Sequence, residues 1–184
     1  MTVNLNLGCG DQKLPGFIGV DRLGYPDTDV ICDLNYPLPF KSLSIDYVYA
    51  KSILEHLNDL ASILNEVERI LKPGGTFYIY VPHWSNPFYY SDYTHQHTFG
   101  LVTLDYFIPP SAQVFRKVPA YQSLKFQITG VRLLFESPFG WLRWMMKGFQ
   151  WLVNRRKDWL LFYEYHLSGV VPCYAIEFVL CRIT

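Results

Sequence analysis

Two short segments near the start of the chain decide its fold: LNLGCG at residues 5–10 and FIGVD at residues 17–21. In the first, polar and apolar residues alternate and then meet two glycines, a pattern typical of a strand that ends in a tight turn. The second predicts another strand, which ends on Asp21. Parallel strands of this kind would bring the glycine turn and Asp21 to one edge of a sheet, where α/β proteins bind ligands.

The same alternation of strands with turns or helices continues as far as residue 82. Further strands are predicted at residues 29–33, 45–50 and 76–81, and the third strand ends on Asp33. Between the last two, apolar residues recur at helical spacing from Asp59, a suitable N-cap, until Lys72-Pro73-Gly74-Gly75 ends the helix. This order predicts an α/β fold with a mostly parallel sheet.

The second part of the chain is less regular. Residues 82–99 predict a long loop, 101–108 a short helix, and 124–135 a strand bent at Gly130. Residues 139–167 predict two helices that separate near residues 154–158, and residues 174–181 predict a closing strand. We expect a single domain over residues 1–184, with a nucleoside-binding half (1–82) and an acceptor or lid half (83–184).

Composition excludes a disordered chain and separates the two halves by charge. The 184 residues hold 16 Lys and Arg, 16 Asp and Glu, and 32 aromatic rings (13 Phe, 14 Tyr and 5 Trp). Residues 1–83 carry 10 acidic and 6 basic side chains, whereas residues 84–184 carry 6 acidic and 10 basic ones. The halves are therefore expected to have different roles.

Several classes of protein are disfavoured by what the sequence does not contain. The four cysteines are widely spaced with no C-x-x-C pair, so neither a zinc site nor a redox motif is predicted. No signal-peptide pattern opens the chain, and no apolar run reaches the roughly 18 residues of a membrane span. A cytoplasmic location is the resulting prediction.

The glycine turn favours a ligand without phosphate. The dinucleotide fingerprint G-x-G-x-x-G is not met, and Asp21 follows Gly8 too soon for a full helix to fit between the first two strands. The N-terminus of that helix is what normally holds a pyrophosphate. S-adenosylmethionine carries no phosphate, and its cationic groups suit the acidic first half.

Successive motifs resemble those of class I S-adenosylmethionine-dependent methyltransferases, in particular a small bacterial and archaeal methyltransferase-domain branch. They are LNLGCG, FIGVD, ICDLNYPLPF, IDYVYAKSILEHL and RILKPGGTFYIYVP, over residues 3–82. The resemblance implies a Rossmann-like, seven-stranded sheet whose last strand is antiparallel. The N-terminal helix usual in the family is missing from the sequence, which would leave one pocket wall open or supplied by a partner subunit.

The resemblance also implies which residues bind the cofactor. Gly8 and Gly10, with Cys9 between them, would face the methionine part, and Asp21 would bind the ribose. Asp33 and Leu34 would contact the adenine. Ser52 would lie under the methionine carboxylate or in the floor of the active site.

The histidines are the candidate bases for an oxygen or nitrogen acceptor. Residues 91–100, SDYTHQHTFG, resemble a D-x-T-H signature of related methyltransferases, so His95 is the first candidate and Asp92 its partner. His56, after the fourth strand, is the second, although it could equally pack locally. We predict no metal site, because the His95-x-His97 pair with Asp92 lacks a fourth ligand.

Aromatic and basic residues dominate residues 139–163. The pattern fits internal packing or a homo-oligomer interface, and secondly contact with a membrane surface. Asn86-Pro87-Phe88-Tyr89 is similar to a DNA adenine-methyltransferase motif, but it follows the fifth strand instead of the fourth, so a nucleic-acid partner is not expected.

The resulting prediction is a methyltransferase that uses S-adenosylmethionine and acts on oxygen or nitrogen of a small or carbohydrate- or lipid-linked acceptor. The alternatives are a methyltransferase-fold binding module without chemistry and, less favoured, a NAD-type oxidoreductase.

Overall fold

A seven-stranded sheet forms the centre of the computed structural model, which describes residues 2–184. The strands are β1 (Asn4–Leu7), β2 (Ile18–Asp21), β3 (Val30–Ile31), β4 (Ile45–Lys51), β5 (Leu71–Pro82), β6 (Phe126–Leu134) and β7 (Ala175–Arg182). They are ordered β3-β2-β1-β4-β5-β7-β6, and β7 alone among them runs antiparallel to its two neighbours. The predicted seven-stranded α/β sheet with an antiparallel last strand is confirmed.

Helix α1 (Leu60–Ile70) packs one apolar face on this sheet. Its N-cap is Asp59, whose Oδ1 accepts a hydrogen bond from the Ala61 N–H at 2.9 Å, as the sequence predicted. The buried face consists of Leu60, Ile63, Leu64, Val67 and Ile70. The predicted helix is thus confirmed to within a residue at its start.

Strand β5 is longer than predicted, because it begins directly after α1. Leu71 already pairs with Ile45, and the register then shifts before Thr76 pairs with Tyr47. Gly75 lies in this irregularity, where a Cβ would come within 2.8 Å of the Lys72 carbonyl oxygen. The two glycines therefore form a bulge inside the strand instead of a turn before it.

The helices of the second half are α2 (Gly140–Val153) and α3 (Lys157–Phe162), and a π-helical turn at Tyr163–Leu167 follows α3 directly. Short 3₁₀ turns occur at Leu54–His56, Tyr89–Ser91 and Thr103–Phe107. The predicted break between the two helices is confirmed, and the bend expected at Gly130 appears as a register shift between Ile128 and Gly130.

One hydrophobic core joins both halves of the chain. Leu5 and Phe77 from the first half are completely buried with Phe99, Phe126 and Phe178 from the second. Strands β6 and β7 extend the sheet that β1–β5 begin, so both halves contribute strands to one sheet. The predicted site lies at the carboxyl edge of that sheet.

Candidate active site

The turn after β1 has the backbone that its glycines require. Gly8 has φ +62° and Gly10 φ +53°, both in the left-handed region. The N–H groups of Gly8 and Cys9 donate to the Val20 carbonyl, at 2.8 and 3.2 Å, and the Gly10 N–H donates to Asp21 Oδ2 at 3.0 Å. Asp21 therefore fixes the turn while its carboxylate stays at the edge of the sheet.

The neighbouring strand ends bring the other predicted cofactor residues to the same edge. Asp33 follows β3 and is exposed, and its Oδ1 accepts hydrogen bonds from the Asn35 N–H and Nδ2, both at 2.9 Å. Leu34 beside it is buried. Ser52, just after β4, has φ +52°, and its N–H donates to the Tyr80 carbonyl at 2.8 Å.

Cys9 contributes only its backbone to this edge. Its buried thiol lies 3.7 Å from the Asp27 carbonyl and 3.8 Å from the Thr28 hydroxyl, inside the loop after β2. Burial raises the pKa of the thiol, so it is a poor nucleophile.

The edge fits S-adenosylmethionine better than a dinucleotide. A Cβ on Gly10 would have no atom within 4 Å, so open space lies over the turn. Residues 8–17, which connect β1 to β2, contain no helix whose N-terminus could hold a pyrophosphate. Carboxylates at the ends of β2 and β3 are instead suited to ribose hydroxyls and amino groups.

Next to Ser52, the structure brings together Glu55, His56 and His95. A carboxylate oxygen of Glu55 and one ring nitrogen of each histidine lie within 4.8 Å of one another. The two imidazole rings are 4.7 Å apart between centroids. Sequence reasoning placed both histidines in the site but missed Glu55, although it directly precedes His56.

Hydrogen bonds determine which nitrogen of each ring is free. His95 Nδ1 lies 2.8 Å from the Tyr89 carbonyl, which can only accept, so Nδ1 carries the proton. His56 Nδ1 lies 2.8 Å from the Thr94 hydroxyl, which itself donates to Asp92 Oδ1 at 2.6 Å. In the neutral form of each ring, Nε2 is therefore left as the basic nitrogen.

Asp92 has a different contact from the one we predicted. Its Oδ2 is 3.7 Å from His95 Nε2, which is long for a hydrogen bond. The carboxylate instead orients His56 through Thr94. The hydrogen bonds from Thr94 hold the pKa of Asp92 below its usual range, so it stays ionised beside both histidines.

Burial controls the protonation of this cluster. Glu55 is only 1% exposed and its Oε2 has no hydrogen-bond partner. Loss of solvation raises the pKa of Glu55 to about 7. Burial, and secondly the charge of His95, lower the pKa of His56. The Glu55 carboxyl can therefore gain or lose its proton near neutral pH.

A cavity of about 620 Å³ opens onto the cluster. Ser52, Glu55, His56 and His95 line one side, and the aromatic residues of its wall are Tyr80, Phe88, Tyr89, Tyr93 and Tyr174. A slightly larger cavity of about 660 Å³ lies beside His97 and Trp84. We place the site in the former, because it contains both the cluster and Ser52.

The remaining histidines of the loop serve other contacts. His83 is completely buried, and its Nε2 lies 2.9 Å from Glu164 Oε2. The buried Nε2 of His97 has no partner. His95 and His97 do not meet around a common point, whereas Glu55, His56 and His95 form a set of three donor groups able to ligate a divalent cation.

Comparison with known proteins shows which family part of the chain resembles. Residues 17–79 match the sequence model of a methyltransferase domain. Over 61 residues, or 33% of this chain, the sequence is 36% identical to a probable S-adenosylmethionine-dependent methyltransferase of Mycolicibacterium smegmatis. Residues 17–79, about a third of the chain, are thus similar to a methyltransferase domain, in agreement with the predicted family. The matched segment spans 24% of the length of that relative.

Solved methyltransferase structures share the whole fold. A SAM-dependent methyltransferase from Archaeoglobus fulgidus matches 98% of this chain and 86% of its own, with a TM-score of 0.63 and 15% identity. A second match is a chain from the complex between the Haloferax volcanii Trm112 methyltransferase activator and a methyltransferase. It covers 100% of this chain and 83% of its own, with a TM-score of 0.61 and 18% identity. These likenesses confirm the predicted fold, and the match of residues 17–79 to a methyltransferase domain agrees with the predicted enzyme class and cofactor.

Within residues 2–184, none of the helices is both long and apolar enough to cross a bilayer.

Proposed function

We propose that this methyltransferase moves a methyl group from S-adenosylmethionine to an oxygen or nitrogen atom of a small or carbohydrate- or lipid-linked acceptor. The observation that supports this most directly is the Glu55–His56–His95 cluster beside Ser52, a buried carboxyl with two half-buried histidines, in a cavity at the carboxyl edge of the sheet. Such a cluster can remove the proton that an oxygen or nitrogen acceptor must lose.

The cofactor side of the site would be formed by the residues predicted from the sequence. The turn at Gly8 and Gly10 would give the methionine part room, and the Asp21 carboxylate would accept hydrogen bonds from the ribose. Asp33 and Leu34 would contact the adenine. S-adenosylmethionine, when bound, supplies the electrophilic methyl group.

On the acceptor side, Nε2 of His95 is our candidate base. Its Nδ1–H is held by the Tyr89 carbonyl, so the ring presents a fixed basic nitrogen to the cavity. His56 is positioned in the same way by Thr94 and Asp92 and can act as a second base. Glu55, which ionises near pH 7, can take up the proton that either histidine receives.

Release of S-adenosylhomocysteine in the presence of pooled hydroxylated and aminated acceptors tests this function. We expect His95→Ala to lower the rate by about 10²–10⁴-fold, the usual contribution of a general base, and to leave cofactor affinity unchanged. His166→Ala is the matched control, because His166 is exposed on the π-helical turn. Cofactor binding without release from any acceptor would favour the binding module.

A chelator distinguishes a base from a metal site at the cluster. If the cluster acts as a base, prior treatment with EDTA leaves the rate of methyl transfer unchanged. Loss of activity that a divalent cation restores would instead make Glu55, His56 and His95 metal ligands and would contradict the proposed mechanism.

A further inference from the structure

Helix α2 carries two apolar faces, of which only one is used by the fold. On its inward face, Met146, Phe149 and Val153 pack against the hydrophobic core, and Phe149 meets Phe135 edge-on at 4.9 Å. This spacing of three and four residues is that of one side of a helix.

The opposite face of α2 is apolar and exposed. Trp141, Trp144 and Trp151 are 69%, 72% and 64% exposed. Met145 and Leu152 lie on the same side and are exposed as well. Three exposed tryptophans on one short helix are far more than a solvated surface normally carries, and such a face marks a contact site.

Positive charge surrounds this exposed face. No acidic residue occurs between Glu136 and Asp158, whereas Arg143, Lys147, Arg155, Arg156 and Lys157 all lie in that stretch. Arg155 covers the Trp151 ring, 5.1 Å from its centroid. Tryptophans bordered by Lys and Arg are typical of helices that lie in the interface of an anionic bilayer.

A second copy of the chain fits the face less well. A two-fold interface would set this patch against itself and would bring its cations together with no acidic partner inside the patch. Anionic lipid head groups supply the missing charge. Charge complementarity therefore favours membrane contact over the homo-oligomer interface that the sequence favoured.

An apolar groove connects this helix to the active site. The groove has a volume of about 600 Å³ and is lined by Pro138, Phe139, Leu142, Met146 and Val171, among others. Asn86, Phe88 and Tyr174 line both the groove and the cavity at the Glu55–His56–His95 cluster. A chain lying in the groove would thus place its polar end in that cavity.

We propose that α2 docks on the surface of an anionic lipid bilayer and that the acceptor is an amphiphilic lipid, whose apolar chain occupies this groove. The acceptor class rests on the methyltransferase function proposed above. The docking itself requires no cofactor and no acceptor. The docking and the methyltransferase function can therefore fail separately in experiments.

Vesicle co-sedimentation tests the docking. We expect the chain to bind vesicles of mixed phosphatidylcholine and phosphatidylglycerol about tenfold more tightly than vesicles of phosphatidylcholine alone, and less tightly as salt is added. Trp141→Ser/Trp144→Ser should weaken binding about tenfold or more. Tyr121→Ser, which removes an exposed ring remote from α2 in sequence, is the control.

Two outcomes would overturn the docking. One is wild-type protein that stays in the supernatant with both vesicle compositions. The other is a stable dimer in light scattering that the Trp141→Ser/Trp144→Ser variant converts to monomer, because the face would then belong to a second copy. An unchanged midpoint of urea denaturation shows that this variant is folded.

Dodecylphosphocholine below its micellar concentration tests the groove. We expect saturable binding that Val170→Trp weakens at least about tenfold by filling the groove, while Val170→Ile leaves it nearly unchanged. Val170 is 79% exposed, so neither substitution disturbs the core. Absence of saturable binding, or equal affinity of both variants, would overturn the amphiphilic acceptor.

Discussion

A buried carboxylate without a hydrogen-bond partner, such as Glu55, lowers the stability of a folded protein unless it is protonated. The loop holds the backbone of this residue in place, because the N–H groups of Gln96 and His97 donate to the Glu55 main-chain carbonyl oxygen at 2.7 and 3.3 Å. Such a buried ionisable group lowers the stability of the fold, and groups of this kind are concentrated in active sites.

Because the ionised Glu55 carboxylate lowers stability, we expect the free energy of unfolding to depend on pH. The pKa rises from 4.5 to about 7 on folding, so the carboxylate destabilises the fold progressively as pH increases through that range. The free energy of unfolding of Glu55→Gln relative to wild type should therefore be about 3 kcal/mol higher at pH 8 than at pH 4.5. Urea denaturation at the two pH values measures it.

The matched control for this experiment is Glu136→Gln, at an exposed position. A Glu55→Gln effect of equal size at both pH values would contradict the burial of an ionisable carboxyl at this site.

The two glycines of the turn after β1 should respond differently to alanine. At Gly8 the new Cβ would lie 2.6 Å from the Ile53 side chain, so Gly8→Ala should destabilise the protein by about 2 kcal/mol or more. At Gly10 the Cβ points into open space, so Gly10→Ala should cost only about 1 kcal/mol of backbone strain.

The proposed cofactor position predicts that Gly10→Ala affects ligand binding more than it affects stability. The methyl group of Gly10→Ala would enter the space assigned to S-adenosylmethionine, so we expect at least a tenfold loss of affinity in calorimetry (about 1.4 kcal/mol). Unchanged affinity, with the variant folded, would move the cofactor away from the turn.

Residues whose position follows from a strand end could be placed from the sequence, and residues whose position depends on the loop could not. Gly8, Gly10 and Asp33 come just after strands and Asp21 is the last residue of β2, so the parallel sheet alone brings them to one edge. The environment of Glu55 depends instead on residues about 40 positions later, and periodicity contains no information about that contact.

At the scale of elements, the loop at residues 82–99 is held in place by the π-helical turn. Glu164 in that turn accepts hydrogen bonds from His83, from the Trp84 ring N–H at 3.2 Å and from the Leu101 N–H at 3.1 Å. Burial alone would raise its pKa, but the hydrogen bonds, that of His83 foremost, hold the pKa of Glu164 below its usual range. The loop that carries His95 is therefore anchored at its two ends.

Removal of this anchor should affect stability and catalysis together. Glu164→Ala leaves three donors without an acceptor, those of the buried His83 and Leu101 and of the half-buried Trp84. We therefore expect a loss of about 3 kcal/mol in free energy of unfolding and a lower rate of methyl transfer. Asp158→Ala, at an exposed position in α3, is the control. Wild-type stability of Glu164→Ala would show that the network does not hold the loop.

The loop could be predicted from the sequence, but its contacts with other elements could not. Its existence and its histidines were evident in the sequence, but the pairing of His83 with Glu164 joins residues 81 positions apart. Similarly, α2 was predicted as a helix from its pattern, whereas its second, unpacked face appears only when the inward face is placed on β6.

At the scale of the whole molecule, the two halves share one sheet and one core but differ in charge. The acidic half supplies the strand ends that we assign to a cationic nucleoside ligand, and the basic, aromatic half supplies the loop, the groove and the exposed face of α2. Donor and acceptor would thus enter from different parts of one edge and meet at the Glu55–His56–His95 cluster.

Calorimetric titration of the wild-type chain and of Asp21→Ala with S-adenosylmethionine, S-adenosylhomocysteine and NAD tests the central claim most directly. The structure predicts that both adenosyl compounds bind wild type, that Asp21→Ala abolishes this binding, and that NAD gives no heat. Absence of heat with both adenosyl compounds at millimolar concentration, or binding of NAD alone, would contradict it.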